Sequence, residues 1–294
     1  MRLSLTLKFN IVFLLIFAVG FAGTAYLTRK LLLRNAQDEV IQNARLLIES
    51  AGAVRGYTQS QIVPLLQTQI QYTFPPQSVP SFSATEYANA LRGKFPDYNY
   101  KEATLNPTNP RDRASEWEAD IVQKFRNEPG LNEIVGERDS ATGPSLYIAR
   151  PIQIKEKACL ECHSTVDAAP RTMVAAYGPN NGFGWRLNEI IGAQITAVPK
   201  AIALGRADKA FQSFIAAFLA IFALVFIASN LMFYFTVTRR ITALSEAVDR
   251  VSTGQMDAPI PATRSHDEVG VLVAAFERMR TSLASAMKMI EEHP

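Results

Sequence analysis

Residues Lys157–Ser164 read K-A-C-L-E-C-H-S and hold both cysteines of the chain and one of its three histidines. How this run is read decides the architecture. Cys-x-x-Cys-His is the attachment pattern of c-type haem. Each thiol can form a thioether to one porphyrin vinyl group, and the next residue then lies where its imidazole can bind the iron as proximal ligand. Cys159 and Cys162 are therefore the expected attachment points for a covalent haem c, and His163 the expected iron ligand. Other uses of the pair fit less well. A zinc site wants about four ligands, yet residues 29–209 hold no further cysteine or histidine. A thioredoxin-like pair usually sits on a βαβ scaffold, and a plain disulfide over so short a loop leaves His163 unexplained.

Working outward, the chain has two apolar runs. Of its 294 residues 48% are hydrophobic and 19% charged, with a net charge of +3. Phe9–Thr28 and Phe211–Thr238 carry no charged residue, and each reaches the roughly 20 apolar residues of a membrane-crossing helix. The first has a rival reading as a secretory signal, because it follows Arg2 and Lys8 and ends in a passable G-T-A cleavage site. Its apolar run exceeds the roughly 7–15 residues of a signal core, so a retained anchor is expected. The positive-inside rule does not orient the spans: Arg2 and Lys8 balance Arg29, Lys30 and Arg34, and Arg206 and Lys209 balance Arg239 and Arg240. The cysteine motif does. Covalent haem attachment of this kind happens outside the bacterial cytoplasmic membrane, so 29–209 is expected in the periplasm and both termini in the cytoplasm. The basic residues are scattered, which gives no footprint for nucleic acid.

The division expected is thus 1–28 (N-terminus and first span), 29–209 (periplasmic domain), 210–238 (second span) and 239–294 (cytoplasmic tail). Within 29–209, Val40, Ala44, Leu47, Ile48 and Ala51 recur at helical spacing. Pro64 and the run Phe74–Pro80 are expected to break that helix. Further helices are predicted at Ala84–Arg92 and Arg113–Arg126. Strands are predicted at Leu131–Gly136, Ser145–Ile154, Met173–Tyr177 and Ile190–Val198, with Pro151 marking an edge or an end. Helices first and antiparallel strands later spell an α+β layer fold, and a PAS-like sensor domain fits that order.

The distal face of the iron separates an electron carrier from a redox or gas sensor. Met173 is the sole methionine of 29–209. It is a candidate distal ligand, a thioether that would raise the reduction potential, and equally a core residue at a strand start. Tyr57, Tyr177, a lysine, water or a vacancy are the other options, and the last two would favour a diatomic gas.

The tail shows a second pattern. Ile241, Leu244, Val248 and Val251 follow a/d spacing, a connector runs Ser252–Asp267 with Gly254 at its turn and Met256 and Ile260 as apolar anchors, and Val269, Leu272, Phe276, Met279, Leu283, Ala286 and Ile290 resume the heptads. Two such helices bury their stripes by packing against a second copy, so a homodimeric helical bundle is expected. The stretch R-R-I-T-A-L-S-E-A-V-D-R-V-S-T-G-Q-M-D-A-P-I-P, with the later Asp267-Glu268-Val269-Gly270, resembles a HAMP domain, although no proline follows Arg239-Arg240.

The periplasmic segment resembles the Tll0287-like haem-sensor domains. The residues that carry this are R-G-K-F-P-D-Y-N-Y-K-E-A-T-L-N-P-T-N-P-R-D-R-A (Arg92–Ala114), E-K-A-C-L-E-C-H (Glu156–His163) and the Tyr177–Trp185 stretch. The resemblance implies a PAS-like fold holding a c-type haem at Cys159, Cys162 and His163. No phosphate loop, catalytic triad or paired carboxylate motif appears, so no enzyme is expected. The reading is a two-pass haem-c sensor of the bacterial inner membrane, responding to a redox partner or a diatomic gas and signalling through the HAMP bundle to a separate cytoplasmic protein. An anchored electron-transfer cytochrome is its alternative.

Overall fold

The structure, a computed structural model, describes residues 4–140, 143–260 and 267–292. Arg2, the connector residues 261–266 and Pro294 lie outside them. The chain divides into two compact units, residues 29–211 and residues 1–28 with 212–294. Helix α1 (Leu5–Tyr57) has residues in both.

The unit 29–211 is built on one antiparallel sheet in the order β1-β4-β3-β2, where β1 is Asn99–Thr104, β2 Ile134–Ser140, β3 Gly143–Gln153 and β4 Ile190–Pro199. Successive strand residues point to opposite faces, and both faces are covered. On one, Tyr100 and Ile148 lie against Ala44, Leu47, Ile48 and Ala51 of α1 and Ala84 and Ala88 of α3 (Pro80–Arg92). On the other, Ala103, Ala149, Ala193 and Ile195 take Ile121, Val122 and Phe125 of α4 (Glu116–Asn127). The three alanines leave the room that the fully buried ring of Phe125 fills. Ser115 and Glu118 start α4 with a reciprocal capping box. The α+β class expected from the sequence is what the chain forms.

Three local features depart from expectation. Pro64 does not end the first helix; it sits in the first turn of α2 (Val63–Ile70), after a π-helical turn at Thr58–Ile62. The helix runs on from Leu5 to Ile70, and the π-helical turn just before Pro64 is the kind of local irregularity that lets a helix pass a proline. Pro151 falls near the end of β3, one of the two expectations: β3 lies between β2 and β4, but β2 pairs with it only as far as Ala149, so one side is open there. Met173–Tyr177 is helical, within α6 (Arg171–Tyr177), whose first turn follows Pro170. Strand β1 is unanticipated, because Asn99, Lys101 and Glu102 make it read as polar.

In the other unit, the apolar stretches lie within long helices, α1 and α7 (Lys200–Phe233), both long and apolar enough to cross a membrane. They meet along a phenylalanine ladder. Phe9, Phe13, Phe17 and Phe21 recur every fourth residue on α1, and their rings meet Phe233, Phe226, Phe222 and Phe218 of α7, with centroids 4.6 Å apart at Phe9–Phe233 and 5.2 Å at Phe21–Phe218. After a π-helical turn at Tyr234–Thr238 come α8 (Arg239–Ser252) and α9 (Glu268–Glu292). Leu244 and Val251 of α8 are buried with Ala258, Val273 and Phe276, and the connector residues Met256 and Ile260 pack against them. Ile241 and Val248 stay exposed, as do Leu272, Met279, Leu283 and Ile290 of α9. The Asp-Glu-Val-Gly step has a direct role. Asp267 Oδ1 accepts the Gly270 N–H at 2.8 Å, capping α9, while its Oδ2 pairs with Arg240 of α8 at 2.5 Å.

Candidate functional site

The site grows from an irregularity at the end of the sheet. The register between β3 and β4 shifts between Ile152 and Gln153, and bulges of this kind re-aim the side chains that follow them. Here Ile152, Ile154 and Ile191 gather into a small apolar cluster, and Cys159, Leu160 and Trp185 pack against it. Cys159, Cys162 and His163 all lie on one short helix, α5 (Ala158–His163).

Both thiols are free and half-buried. Burial pushes each above its usual range, and the carboxylates of Glu156 beside Cys159 and Glu161 beside Cys162 push further. A thiol held protonated is a poor nucleophile in disulfide exchange, which counts against the thioredoxin-like reading. Among the described residues no group of three or more His, Cys, Asp and Glu side chains is placed to share a metal ion.

His163 is held on several sides. Its Nδ1 lies 2.7 Å from the carbonyl oxygen of Gly182. A carbonyl only accepts, so Nδ1 carries the proton and Nε2 keeps its lone pair. Burial holds the ring below the usual imidazole range, against the contrary pull of the Gly182 bond. The indole of Trp185 stacks on the imidazole at 3.9 Å between centroids and 17° between planes. The backbones join as well: Trp185 N–H donates to His163 O at 3.2 Å and Gly184 N–H to Ser164 O at 3.0 Å. A neutral imidazole with a free Nε2 and two thiols on one turn of chain make a donor set suited to iron in a covalently held macrocycle.

Beside the site lies a buried polar group that sequence reading missed. Arg55, in the last turn of α1, pairs with Glu102 of β1, whose side chain is 2% exposed. Tyr100 Oη donates to Glu102 Oε1 at 2.8 Å, and Gln194 Nε2 donates to Tyr100 Oη at 3.0 Å. Burial first, and then the adjacent Glu102, push the Tyr100 hydroxyl far above its usual range, so it serves as a donor. The Arg55 guanidinium is also within electrostatic reach of Cys159. Alternation marks Tyr100 and Glu102 as sharing one face of β1, and this was the available signal.

Met173 is buried in α6 and is not part of the cluster around Cys159 and Trp185. The neighbouring Thr172 hydroxyl donates to Ile70 O at 2.5 Å, and Tyr177 meets Phe74 edge-on at 5.9 Å. Tyr57, at the end of α1, is exposed. The structure thus brings Cys159, Cys162 and His163 together on α5 and places Met173 on α6, outside the apolar cluster that Cys159 joins.

The family description Tll0287 matches residues 33–199, and the HAMP domain matches residues 232–285. The chain belongs to the Tll0287-like family. The match to that family lies between the apolar stretches of two helices able to cross a membrane, and the HAMP domain follows the second stretch. Among solved structures it is similar to the cyanobacterial heme-protein Tll0287, at 17% identity and a TM-score of 0.41, covering 55% of this chain and 95% of that one. Among curated proteins it is similar to the "Heme sensor protein HssS" of two strains of Staphylococcus epidermidis, 29% identical over 86 residues. That match covers 29% of this chain and 19% of HssS, so the chain spans less than a fifth of those relatives.

Proposed function

We propose that this Tll0287-like protein is a two-pass sensor of the bacterial inner membrane. In this reading its periplasmic domain, PAS-like in kind, carries haem c on Cys159 and Cys162, and a homodimeric HAMP bundle passes the signal to a separate cytoplasmic protein. The chain itself then catalyses no reaction. The observation that carries the reading is the bond from His163 Nδ1 to Gly182 O, which leaves Nε2 as the ligating nitrogen directly after two free thiols. Membership of a family whose namesake is a heme-protein, and likeness to a heme sensor, support the same cofactor.

Cys159 and Cys162 would hold the group by net addition of each S–H across one vinyl C=C, a step in which nothing is oxidised or released. The iron, once bound, supplies a centre that exchanges one electron or takes a diatomic gas. The rest falls to the chain's own residues. His163 would ligate the iron through Nε2, with Trp185 and Gly182 fixing its ring. Arg55 lies within electrostatic reach of Cys159, so a change of charge at a group held there would act on its pairing with Glu102. Arg55 belongs to the helix that begins at Leu5, so a shift there bears on the first span. Where a stripe is half-satisfied within one chain, as Ile241 and Val248 are, two packings of the bundle become available to a dimer.

One observation favours the alternative, an anchored electron-transfer cytochrome. Helix α5 has no buried residue, so a redox partner could approach it. Absorption spectra of the purified protein, oxidised, reduced, and reduced with CO, separate the two. Uptake of CO, or a redox change that alters cross-linking between HAMP helices, supports the sensor. Rapid electron exchange with indifference to CO and NO, and no change in cross-linking, would leave the carrier standing instead. The same spectra test Met173. Met173→Ala is expected to convert a six-coordinate spectrum to high-spin or lower the potential if the thioether ligates. If Met173 only packs, the spectrum stays and about 2–5 kcal/mol of stability is lost.

A further inference from the structure

Asn106 lies in the loop N-P-T-N-P after β1, far in sequence from the cysteine motif. Its side chain is spent on two peptide units of the segment that faces His163, with one peptide between them. Oδ1 accepts the N–H of Gly182 at 3.3 Å, and Nδ2 donates to the carbonyl oxygen of Phe183 at 3.3 Å. The assignment of oxygen and nitrogen is forced, because a peptide N–H only donates and a carbonyl only accepts. Gly182 is the residue whose own carbonyl accepts from His163 Nδ1 at 2.7 Å. The amide of Asn106 therefore fixes the peptide units on either side of that carbonyl and thereby aims it.

The same loop makes Gly182 irreplaceable. Gly182 has φ +85°, and a Cβ there would fall 2.0 Å from Thr108 Oγ1 and 2.9 Å from Thr108 Cα. The space is taken by the N-P-T-N-P backbone itself, so a side chain would drive the segment off Asn106 and away from His163. A third tie, Arg113 Nη2 to Asn181 Oδ1 at 3.2 Å, holds the neighbouring residue without touching Gly182 or Phe183.

We propose that Asn106 is a positioning residue for His163, acting through the Gly182 carbonyl to set the tautomer, orientation and donor strength of the ligating ring. The inference rests on the haem reading above. A carbonyl aimed at Nδ1–H makes the ring a stronger donor, and such outer partners typically carry about 10–100-fold in metal affinity. A stronger donor favours the ferric state, so loosening the carbonyl shifts the balance toward ferrous iron. Loss of the Asn106 amide is thus expected to shift the ferric–ferrous equilibrium about tenfold, which for one electron is a rise of about 59 mV.

The experiment compares Asn106→Leu, Asn106→Asp and Arg113→Ala in the full-length haem-loaded protein. Three things are read: the covalent haem band on a denaturing gel, the reduction potential, and the iron–histidine stretching frequency of the ferrous form. We expect all three variants to keep the band. Asn106→Leu should raise the potential and lower the stretching frequency. Asn106→Asp keeps the acceptor for Gly182 and loses the donor to Phe183, and should do so by a smaller step. Arg113→Ala should leave both readings at the parent values. An intact band with unchanged potential and frequency in both Asn106 variants would overturn the inference and leave the haem reading standing. Unfolding of both, seen in the thermal transition, would also overturn it by assigning the amide to the fold. A parent protein without covalent haem would instead remove the reading beneath it.

Discussion

Replacing Cys159 and Cys162 together by alanine is expected to abolish covalent haem, leaving a denaturing gel with no peroxidase-active band at the mass of the chain. The expectation follows from the composition and from α5 alike. These are the two cysteines of the chain, both are free, and both lie on the same short helix as His163. Either single replacement leaves one thiol able to add to one vinyl group, so each single variant should keep a weakened band. His163→Ala should keep the band, because attachment runs through sulfur, but lose the spectrum of an imidazole-bound iron. The helix should survive the double change, since the cluster it packs against is built on Ile152, Ile154 and Ile191. A band that persists without either cysteine, or a parent protein that is colourless after maturation in a cell able to make c-type cytochromes, would remove the basis of the proposed function.

The parts of the fold that could be read in advance are those where one period dominates. Val40, Ala44, Leu47, Ile48 and Ala51 mark the buried face of α1 because that face meets a sheet along its whole length. The tail helices are legible for the same reason, and Leu244, Val251 and Phe276 occupy the core that the heptads predict. The errors fall where local signals compete with context. Met173–Tyr177 has the branched and aromatic content of a strand, yet a helix starts there directly after Pro170. Strand β1 escapes notice because Glu102 is buried with a partner 47 residues earlier in the chain. Charge-free runs reveal length but not facing, so the phenylalanine ladder becomes visible only when α1 and α7 are brought together.

The site divides in the same way. Its donor atoms are contiguous, so Cys159, Cys162 and His163 can be found from spacing alone. What orients them is not contiguous: Gly182, Trp185, Asn106 and Arg55 come from three other segments. Their residue types are ordinary. An asparagine between helix and strand reads as a turn residue, and an arginine at a helix end reads as solvated. Only closure of the sheet turns them into supports for one imidazole and one thiol.

Arg55 supplies the second large effect. Arg55→Met is expected to destabilise the unit 29–211 by about 3–5 kcal/mol, because it leaves the Glu102 carboxylate buried without its counter-charge. The donor that remains, Tyr100 Oη at 2.8 Å, is neutral and already committed to accepting from Gln194. Removing both charges, as Arg55→Met with Glu102→Met, should recover most of the loss, since buried pairs replaced by apolar side chains of similar volume are often neutral or better. The resulting double-mutant cycle, read from denaturant unfolding, isolates the coupling. By contrast the outer pairs along the same helix, Arg206–Glu39 at 2.7 Å and Arg150–Glu49 at 2.5 Å, are solvent-exposed on one partner or both, and breaking either should cost less than about 1 kcal/mol. That contrast matters for signalling. If the pair next to Cys159 is the one strong electrostatic tie between α1 and β1, then amide exchange near Arg55 should differ between the oxidised and reduced protein, and that difference should vanish in the doubly apolar variant. Equal exchange in both redox states of the parent would mean that charge at the site does not reach α1 through Arg55, whatever the pair contributes to stability.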